Sequence, residues 1–383
     1  MTKKRFHLWI PNIFDFKGGI QVYSAFFLEA LQALYPQDQY DVFLKHDVRE
    51  PDRDGYLPQT RFHFVGRWPL SVRTLMFSLQ IVSQALLKRP DLIIATHLNF
   101  AVAAYWLKRF AGIPYWAVAH GVEAWDIQNP HLKVALLQAD RILCVSCYTR
   151  DRLLREQSLD PDRVAILPNT FDASRFQIKP KPLFLLERHG LSSEQPIILT
   201  VSRLVQSEQY KGYERILSAL PLIRQVIPNI HYLIVGKGDD RPRIEQMMHD
   251  LRVRDCTTLA GYIPDEELCD YYNLCDVFAM PSKREGFGIV YLEALSCGKP
   301  ALGGNQDGAI DALCQGKLGV LVNPDDVKEI AQILIQILQK KHPNSLLYKP
   351  EQLRQAVIKQ FCFESFQQAL KLQLEDRFPL VHL

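Results

Sequence analysis

No stretch of this 383-residue chain strings together the roughly twenty apolar residues that a bilayer-spanning helix needs. Neither sign of charge prevails: 45 lysines and arginines stand against 42 aspartates and glutamates, a formal net charge of +3. A nucleic-acid binder usually concentrates a basic stripe, and none stands out. The patterns H-E-x-x-H, G-x-x-x-x-G-K-[ST], G-x-S-x-G and G-x-G-x-x-G are missing. Zinc proteolysis, P-loop hydrolysis, serine-hydrolase chemistry and a nicotinamide dehydrogenase therefore have no support. Asp15 and Lys17 interrupt any secretory leader core near the N-terminus. A cytoplasmic protein is expected, with contact to the inner face of a membrane left open. The eight cysteines lie mostly in apolar surroundings such as Leu143-Cys144-Val145, as reduced thiols do. Cys144 and Cys147 form a C-x-x-C without a second pair at zinc-ribbon distance. No metal site is expected.

What the chain does have is length for two domains and an ordinary globular composition, 48% apolar and 23% charged. Short apolar runs alternate with amphipathic stretches. Strands are predicted at 6–10, 40–44, 92–96, 115–119, 141–145 and 164–167, with helices over 21–34, 70–87, 101–110 and 149–156 between them. The pattern lapses over 168–195, where Lys179-Pro180-Lys181-Pro182 reads as linker or surface. A second series follows, with strands at 197–201, 232–235, 257–260, 277–280, 300–302 and 319–322 and helices over 212–223, 241–251, 265–274 and 290–296. Strands alternating with helices predict parallel sheets covered on both faces. The expected fold class is α/β, with two Rossmann-like domains in tandem. The expected boundaries are 1–175, 176–355 and a helical segment 356–383 packing back on the first domain. Ligands of such sheets bind beyond the carboxyl ends of the strands, so the informative residues are those just after strands.

Lys283-Arg284-Glu285-Gly286-Phe287-Gly288-Ile289-Val290-Tyr291-Leu292-Glu293-Ala294 follows a strand and opens a helix. Its glycines allow a ligand close to the chain, and a helix start offers free amides to phosphate. Glu285 and Glu293 are eight residues apart, about 12 Å if all were helical. A carboxylate accepts two hydroxyl hydrogens at once, so two at that span fit two polyols joined by a diphosphate. Val201-Ser202-Arg203-Leu204 and Tyr210-Lys211-Gly212-Tyr213 follow the first strand of the second series. Phe16-Lys17-Gly18-Gly19-Ile20 and Ala119-His120-Gly121-Val122-Glu123 follow strands of the first.

Together these segments resemble the retaining glycosyltransferases of the GT-B fold, family four, also called glycosyl transferases group 1. The resemblance runs over nearly the whole chain and is densest over 197–325. It implies two Rossmann-like domains facing across a deep cleft. It also implies metal-independent transfer of a sugar, with its configuration kept, from a nucleoside-diphosphate sugar co-substrate to a hydroxyl of a saccharide or lipid-linked acceptor. Surface polysaccharide or glycolipid assembly is the implied setting. By the same resemblance Glu285 binds donor-sugar hydroxyls, Glu293 the ribose, and Arg203 and Lys211 the diphosphate. His120 sits by the reacting sugar, and amides near Gly18, Gly19, Gly286, Phe287, Gly288 and Ile289 approach the phosphates. Gly236 lies in the Val-Gly-x-Gly loop near the nucleotide, and Tyr262 and Ile263 lie where the base is held. The mechanism implied is front-face displacement, with the leaving phosphate taking the acceptor proton. Asn305-Gln306-Asp307 departs from the family's Gly-Gly-x-Pro-Glu, and Thr170 replaces the glycine of Pro-Asn-Gly-Val-Asp. Ser146 and Thr149-Arg150 fit either the family's Ser-x-x-Thr-Arg or a plain helix cap.

Asp52-Arg53-Asp54 and Asp160-Pro161-Asp162 have the form of a metal-binding D-x-D but read as turn and capping residues. The run from Arg67 to Arg89 is apolar with basic ends: a core helix, or a helix facing a lipid surface. Two other functions remain open: a sugar-nucleotide epimerase of the same fold, and a non-catalytic carbohydrate-binding relative.

Overall fold

A computed structural model describes residues 3–15, 18–48 and 56–375. The chain divides into two compact units: one runs to Thr170 and resumes at Phe363, and the other is Phe171–Cys362.

The first unit is built on a seven-stranded sheet: β1 (Arg5–Ile10), β2 (Gln39–Leu44), β3 (Thr60–Phe64), β4 (Leu92–Ala95), β5 (Tyr115–Ala119), β6 (Arg141–Cys144) and β7 (Val164–Ile166). The spatial order is β3-β2-β1-β4-β5-β6-β7, and every pairing is parallel. The central strands are near-continuous apolar runs because helices cover both faces; Tyr115–Ala119 is buried at all five positions. β3 has no counterpart among the predicted strands. Its sequence, TRFHF, lies at the sheet edge and is mostly half-exposed, so its apolar signal is weak. Helix Gly19–Leu34 carries the C-terminal helix Phe363–Glu375 on its outer side. There Tyr23 meets Phe366 edge-on at 5.5 Å.

The second unit holds six parallel strands: β8 (Ile197–Val201), β9 (His231–Val235), β10 (Thr257–Gly261), β11 (Val277–Met280), β12 (Ala301–Gly304) and β13 (Val320–Val322), in the order β10-β9-β8-β11-β12-β13. The stretch expected to be linker is not bare. It contains helix Leu183–His189, whose Leu185 and Leu186 are buried. Lys179 N donates to Asn273 Oδ1 at 2.8 Å, and His189 Nε2 lies 3.0 Å from Tyr271 Oη. Prolines at 180 and 182 hid a seven-residue helix too short for its period to register.

Both sheets reverse their strand order once, between β1 and β4 and between β8 and β11. At such a reversal the loops leaving two adjacent strands diverge to opposite faces and leave a crevice at the carboxyl edge. Among the described residues, the motifs singled out for the donor and its sugar lie on this edge of their own sheet or on a loop beside it.

Arg354, on helix Pro350–Phe361, locks this unit together. Its guanidinium donates to the carbonyls of Phe176, Ala173 and Ser296, and to Ser296 Oγ at 2.6 Å. Removing the fork strands several acceptors at once. Arg354→Met should therefore destabilise the second unit by about 2–3 kcal/mol, read as a lower urea midpoint. An unchanged midpoint would show that water replaces the fork at no cost.

Candidate functional site

In the second unit the loops after β8 and β11 flank the reversal. The first carries Arg203 and ends in a short 3-10 stretch, Gln206–Lys211. The second carries Ser282 to Gly288. An ion pair joins them: Lys211 Nζ lies 2.5 Å from Glu285 Oε2, and both side chains are largely buried. Burial alone would lower the proton affinity of Lys211, but the adjoining Glu285 carboxylate outweighs it, so the ammonium is held more firmly than usual. Arg203 is more open, with 60% of its side chain exposed, and pairs with Glu208 at 2.5 Å. A lysine ammonium has three donors and a guanidinium five, so neither cation is saturated by its one carboxylate.

A residue that sequence reasoning left in doubt fixes Glu285. Asp307 is fully buried. Its Oδ2 accepts from Glu285 N and from Ser282 Oγ, both at 2.7 Å, and its Oδ1 accepts from Ala309 N at 3.0 Å. Gly308 N in turn donates to Glu285 O at 2.8 Å. The loops after β11 and β12 are thereby clasped. Burial pushes the Asp307 carboxyl up to about 6, against the pull of these donors. The signal was present: an aspartate after Gly303-Gly304, where the family usually has Pro-Glu.

Glu285 and Glu293 do not share one helix, as the 12 Å reckoning assumed. The helix spans Ile289–Ser296, and Gly288 before it has φ +91°. A Cβ there would lie 2.5 Å from the Tyr291 ring, so only glycine makes this turn. Glu293 stands inside the unit, 9% exposed, and its Oε2 accepts from Tyr272 Oη at 2.7 Å. Burial raises its carboxyl to about 7, with the Tyr272 bond opposing.

The remaining residues of this half fall on the same edge. Gly236, with φ +143°, leaves β9 so close to Ser202 that a Cβ would sit 1.7 Å from the Ser202 carbonyl oxygen. Tyr262 is 69% exposed, and Lys237 Nζ lies 4.9 Å from its ring centre; Ile263 beside it is half-buried. Gly286 is buried, and Ile289 opens the helix half-buried. The Phe287 side chain is buried against Phe361, ring centres 5.5 Å apart, so only its backbone can face a ligand.

In the first unit Gly18 sits just before the sixteen-residue helix Gly19–Leu34, which has no side-chain cap. The space beside Gly19, where a Cβ would point, is open for 4 Å. Phe16 and Lys17 of this motif lie outside the described residues, as do Asp52, Arg53 and Asp54. His120 follows β5. Its Nε2 donates to the Thr96 carbonyl at 2.7 Å, which leaves Nδ1 as the bare acceptor. Burial lowers its proton affinity to about 4, so the ring is neutral at pH 7. Its backbone N–H donates to Glu123 Oε1 at 2.5 Å. Asp126, a few residues on, pairs with Arg152 at 2.8 Å. Ser146 accepts from Thr149 N at 3.0 Å and caps helix Cys147–Gln157; Asp160 caps the turn 161–163. Among the described residues no group of three or more His, Cys, Asp or Glu side chains could hold a metal ion.

Residues 184–360 match the family described as Glycosyl transferases group 1, and residues 17–175 match Glycosyltransferase Family 4. Between them the two matches take in most of the chain. A GDP-mannose-dependent alpha-(1-6)-phosphatidylinositol monomannoside mannosyltransferase of Mycolicibacterium smegmatis is 34% identical over 58% of this chain and 60% of its own length. That of Mycobacterium tuberculosis is 32% identical over 52% of each. The chain thus covers only about half to three-fifths of these relatives. A GDP-mannose-dependent monoacylated alpha-(1-6)-phosphatidylinositol monomannoside mannosyltransferase of Corynebacterium glutamicum is 26% identical over 88% of this chain and 90% of its own. Among solved structures, sucrose-phosphate synthase of Thermosynechococcus elongatus superposes with TM-score 0.81 at 21% identity, covering 98% of this chain and 99% of that one. Anabaena HepE in complex with UDP-glucose gives TM-score 0.77 at 18% identity, covering 97% and 99%. At these identities the likeness establishes the fold, the two-domain GT-B arrangement of Rossmann-like units.

The raised Glu293 carboxyl has a consequence for stability. An unfolded glutamate releases its proton near 4.3, whereas the folded one keeps it to about 7. Between those values the folded state binds more protons, so the wild type loses stability as pH rises through the window. Glu293→Gln keeps the acceptor for Tyr272 and carries no such cost. The variant's melting temperature, relative to wild type, should climb between about pH 4.5 and about pH 7.5. A constant difference would show that Glu293 titrates normally.

Proposed function

Starting from the premise that this chain belongs to the glycosyl transferases group 1, we propose that it moves a sugar from a nucleoside-diphosphate sugar to a hydroxyl of a saccharide or lipid-linked acceptor. The anomeric configuration is retained and no metal ion takes part. The observation that carries this reading is the Lys211–Glu285 pair at 2.5 Å, held at the reversal of the second sheet by Asp307.

As the bond from sugar to diphosphate breaks, negative charge grows on the leaving oxygen. Lys211 and Arg203 meet it with fixed positive charge, and their stabilisation is largest at the transition state, where that charge is fullest. Two cations in place of a divalent ion make metal-independent departure feasible. Glu285, aligned by the Asp307 clasp, accepts hydroxyl hydrogens of the donor sugar, and Glu293 those of the ribose. The turn Gly286–Gly288 brings backbone amides up to the phosphates. In the first unit neutral His120 offers a bare Nδ1 to a sugar hydroxyl. No side chain here is a placed nucleophile, so the leaving phosphate itself takes the acceptor proton in a front-face displacement. The names of the relatives make GDP-mannose the first donor to try, and the fold neighbours make UDP-glucose the second. A cytoplasmic, membrane-peripheral enzyme of glycolipid or polysaccharide assembly fits this reading.

Helix Leu70–Lys88 supports the membrane contact. By length and composition it could cross a bilayer, contrary to the expectation that no stretch would. Yet Phe77, Ile81 and Ala85 are buried in the core of the unit while Leu70, Leu75, Leu79, Leu86 and Leu87 are about half or more exposed. No acidic residue occurs from Arg67 to Pro90. An apolar face with basic flanks suits the surface of an anionic bilayer, with the helix lying in the interface.

Lys211→Ala should lower kcat by about 100-fold or more while changing donor affinity far less, measured by turnover alongside nucleotide-sugar protection against thermal unfolding. A donor at 100 times its dissociation constant should add about 2.7 kcal/mol of stability. A variant as active as wild type would take Lys211 out of the mechanism. Donor incubated alone should give no epimer; epimerised product would favour the epimerase.

A further inference from the structure

Between the helix that carries Glu293 and the helix that carries Tyr272 lies a pair of thiols that the roles above leave unused. Cys269 is on helix Leu268–Leu274, three residues before Tyr272. Cys297 follows helix Ile289–Ser296, four residues after Glu293, and its backbone N–H donates to the Glu293 carbonyl at 3.1 Å. The two Sγ atoms are 3.9 Å apart, in hydrogen-bond contact. The thiol pair and the Tyr272–Glu293 bond are thus successive rungs between the same two helices, about one turn apart.

Cys269 has the surroundings of a reactive thiol. The Cys297 thiol donating to it is the largest influence on its acidity and favours the thiolate; burial opposes, and the charge of Lys179 assists. Asn273 Nδ2 also donates to the Cys269 sulfur, at 3.5 Å. Cys297 shifts the other way, its proton held by the contact with Cys269 and by burial. Once Cys269 is oxidised, the partner that holds that proton is gone. Burial pushes the thiols of Cys144 and Cys275 up, so neither offers a thiolate. Cys269 also adjoins the surface. The exposed strap residues Gln177 and Lys179 run beside it, tied to its helix by Asn273, which donates to Gln177 O and accepts from Lys179 N, both at 2.8 Å. A molecule as small as a peroxide has only this strap to pass.

We propose that Cys269 and Cys297 are an oxidation site: a peroxide converts them to a disulfide, and the disulfide loosens the grip of Glu293 on the donor nucleotide. What Glu293 holds rests on the reading of the chain as a transferase; the disulfide does not. The Cys269 thiolate attacks one peroxide oxygen. The O–O bond breaks, hydroxide leaves and takes up the proton the thiol had released, and a sulfenic acid remains. The Cys297 sulfur then attacks that of Cys269. An S–S bond forms, the S–O bond breaks, and the oxygen departs as water with the Cys297 proton. Two thiols and one hydrogen peroxide give one disulfide and two waters; the sulfurs lose two electrons and the peroxide oxygens gain them.

An S–S bond is about 2 Å long, so this rung must shorten by nearly half. The end of the Glu293 helix is not free to follow, because Arg354 holds the Ser296 carbonyl and hydroxyl at 2.7 and 2.6 Å. The strain falls on the neighbouring rung, and Tyr272 is drawn away from Glu293.

The full chain is treated with hydrogen peroxide, and disulfides are mapped by peptide mass spectrometry before and after dithiothreitol. Binding of GDP and UDP is followed on the same samples by protection against thermal unfolding. Wild type should gain a Cys269–Cys297 cross-link, with loss of two hydrogens, and its nucleotide affinity should fall by about fivefold or more. Dithiothreitol should reverse both. Cys269→Ser and Cys297→Ser should each keep their nucleotide affinity through the peroxide treatment. Cys147→Ser, which removes an exposed thiol, should respond as wild type does. If one of the two buried-thiol variants fails to fold, the other decides. No cross-link at a peroxide dose that oxidises Cys147 overturns the proposal, and so does a cross-link that leaves nucleotide affinity unchanged. A reversible cross-link in a chain that, when reduced, transfers no sugar from any nucleotide sugar would sink the transferase reading and leave the oxidation site standing.

Discussion

Lys211 and Glu285 belong to loops that leave neighbouring strands, β8 and β11, at the point where the second sheet reverses its order. Those loops diverge by topology, and the ammonium–carboxylate pair draws them back toward each other. Around that contact the rest of the unit is arranged. Asp307 fixes the backbone of Glu285, Gly288 turns the chain into the helix that carries Glu293, and Gly212 lets the chain pass from Lys211 into the next helix. A Cβ at Gly212 would meet the Pro281 carbonyl oxygen at 2.2 Å, so the two loops touch through backbone as well as through charge. Such a pair in a largely buried setting is a weak source of net stability, because desolvating both ions offsets much of their attraction. Its worth lies in placement: a cation and an acceptor of hydroxyl hydrogens, side by side, with little freedom to drift.

The two units solve opposite electrostatic problems at equivalent edges. In the second, each cation of the site has a carboxylate: Arg203 has Glu208, and Lys211 has Glu285. In the first, no carboxylate among the described residues pairs with Lys45 or Arg73, and the adjacent histidines are depleted of protons by burial. An anion arriving at the second edge must share its cations with existing partners, which limits how tightly the ground state can be held. Weak holding where charge must later grow favours turnover over mere binding.

Much of this was readable from the sequence, and what was not has physical reasons. Buried strands such as Tyr115–Ala119 and Val277–Met280 advertise themselves, because a parallel sheet under two helical layers needs unbroken apolar runs. The motifs of the second half were readable because they are local: glycines and charges within a dozen residues of one strand end. Helix Pro130–Gln138 went unnoticed because both of its faces carry apolar residues, so it has little periodicity to detect. Asp307 looked like a departure from a pattern until its carboxylate was found bonded to the backbone of a residue 22 positions earlier. Lys45, His46 and Arg73 were invisible as a group, since 27 residues separate His46 from the arginine beside it. Contacts of that separation are set by strand order, and strand order is not written in any short segment.

Helix Leu70–Lys88 shows how two readings of one segment can both be physical. As a core helix it has what it needs: Phe77, Ile81 and Ala85 recur every four residues and bury one stripe. A stripe that narrow leaves most of a nineteen-residue helix facing away from the core, where a soluble surface would normally carry charges. Here that surface carries Leu75, Leu79, Leu86 and Leu87, while the charge is confined to Arg73 and Lys88. Lys88 is committed inward, to Asp41 at 2.7 Å, so it fixes the helix end to the sheet and is not available to a partner. Arg73 donates to the carbonyls of Gly66 and Trp68, and no carboxylate among the described residues pairs with it. A helix built this way is anchored at one end by a closed ion pair and presents, at the other, an open positive charge beside bare leucines.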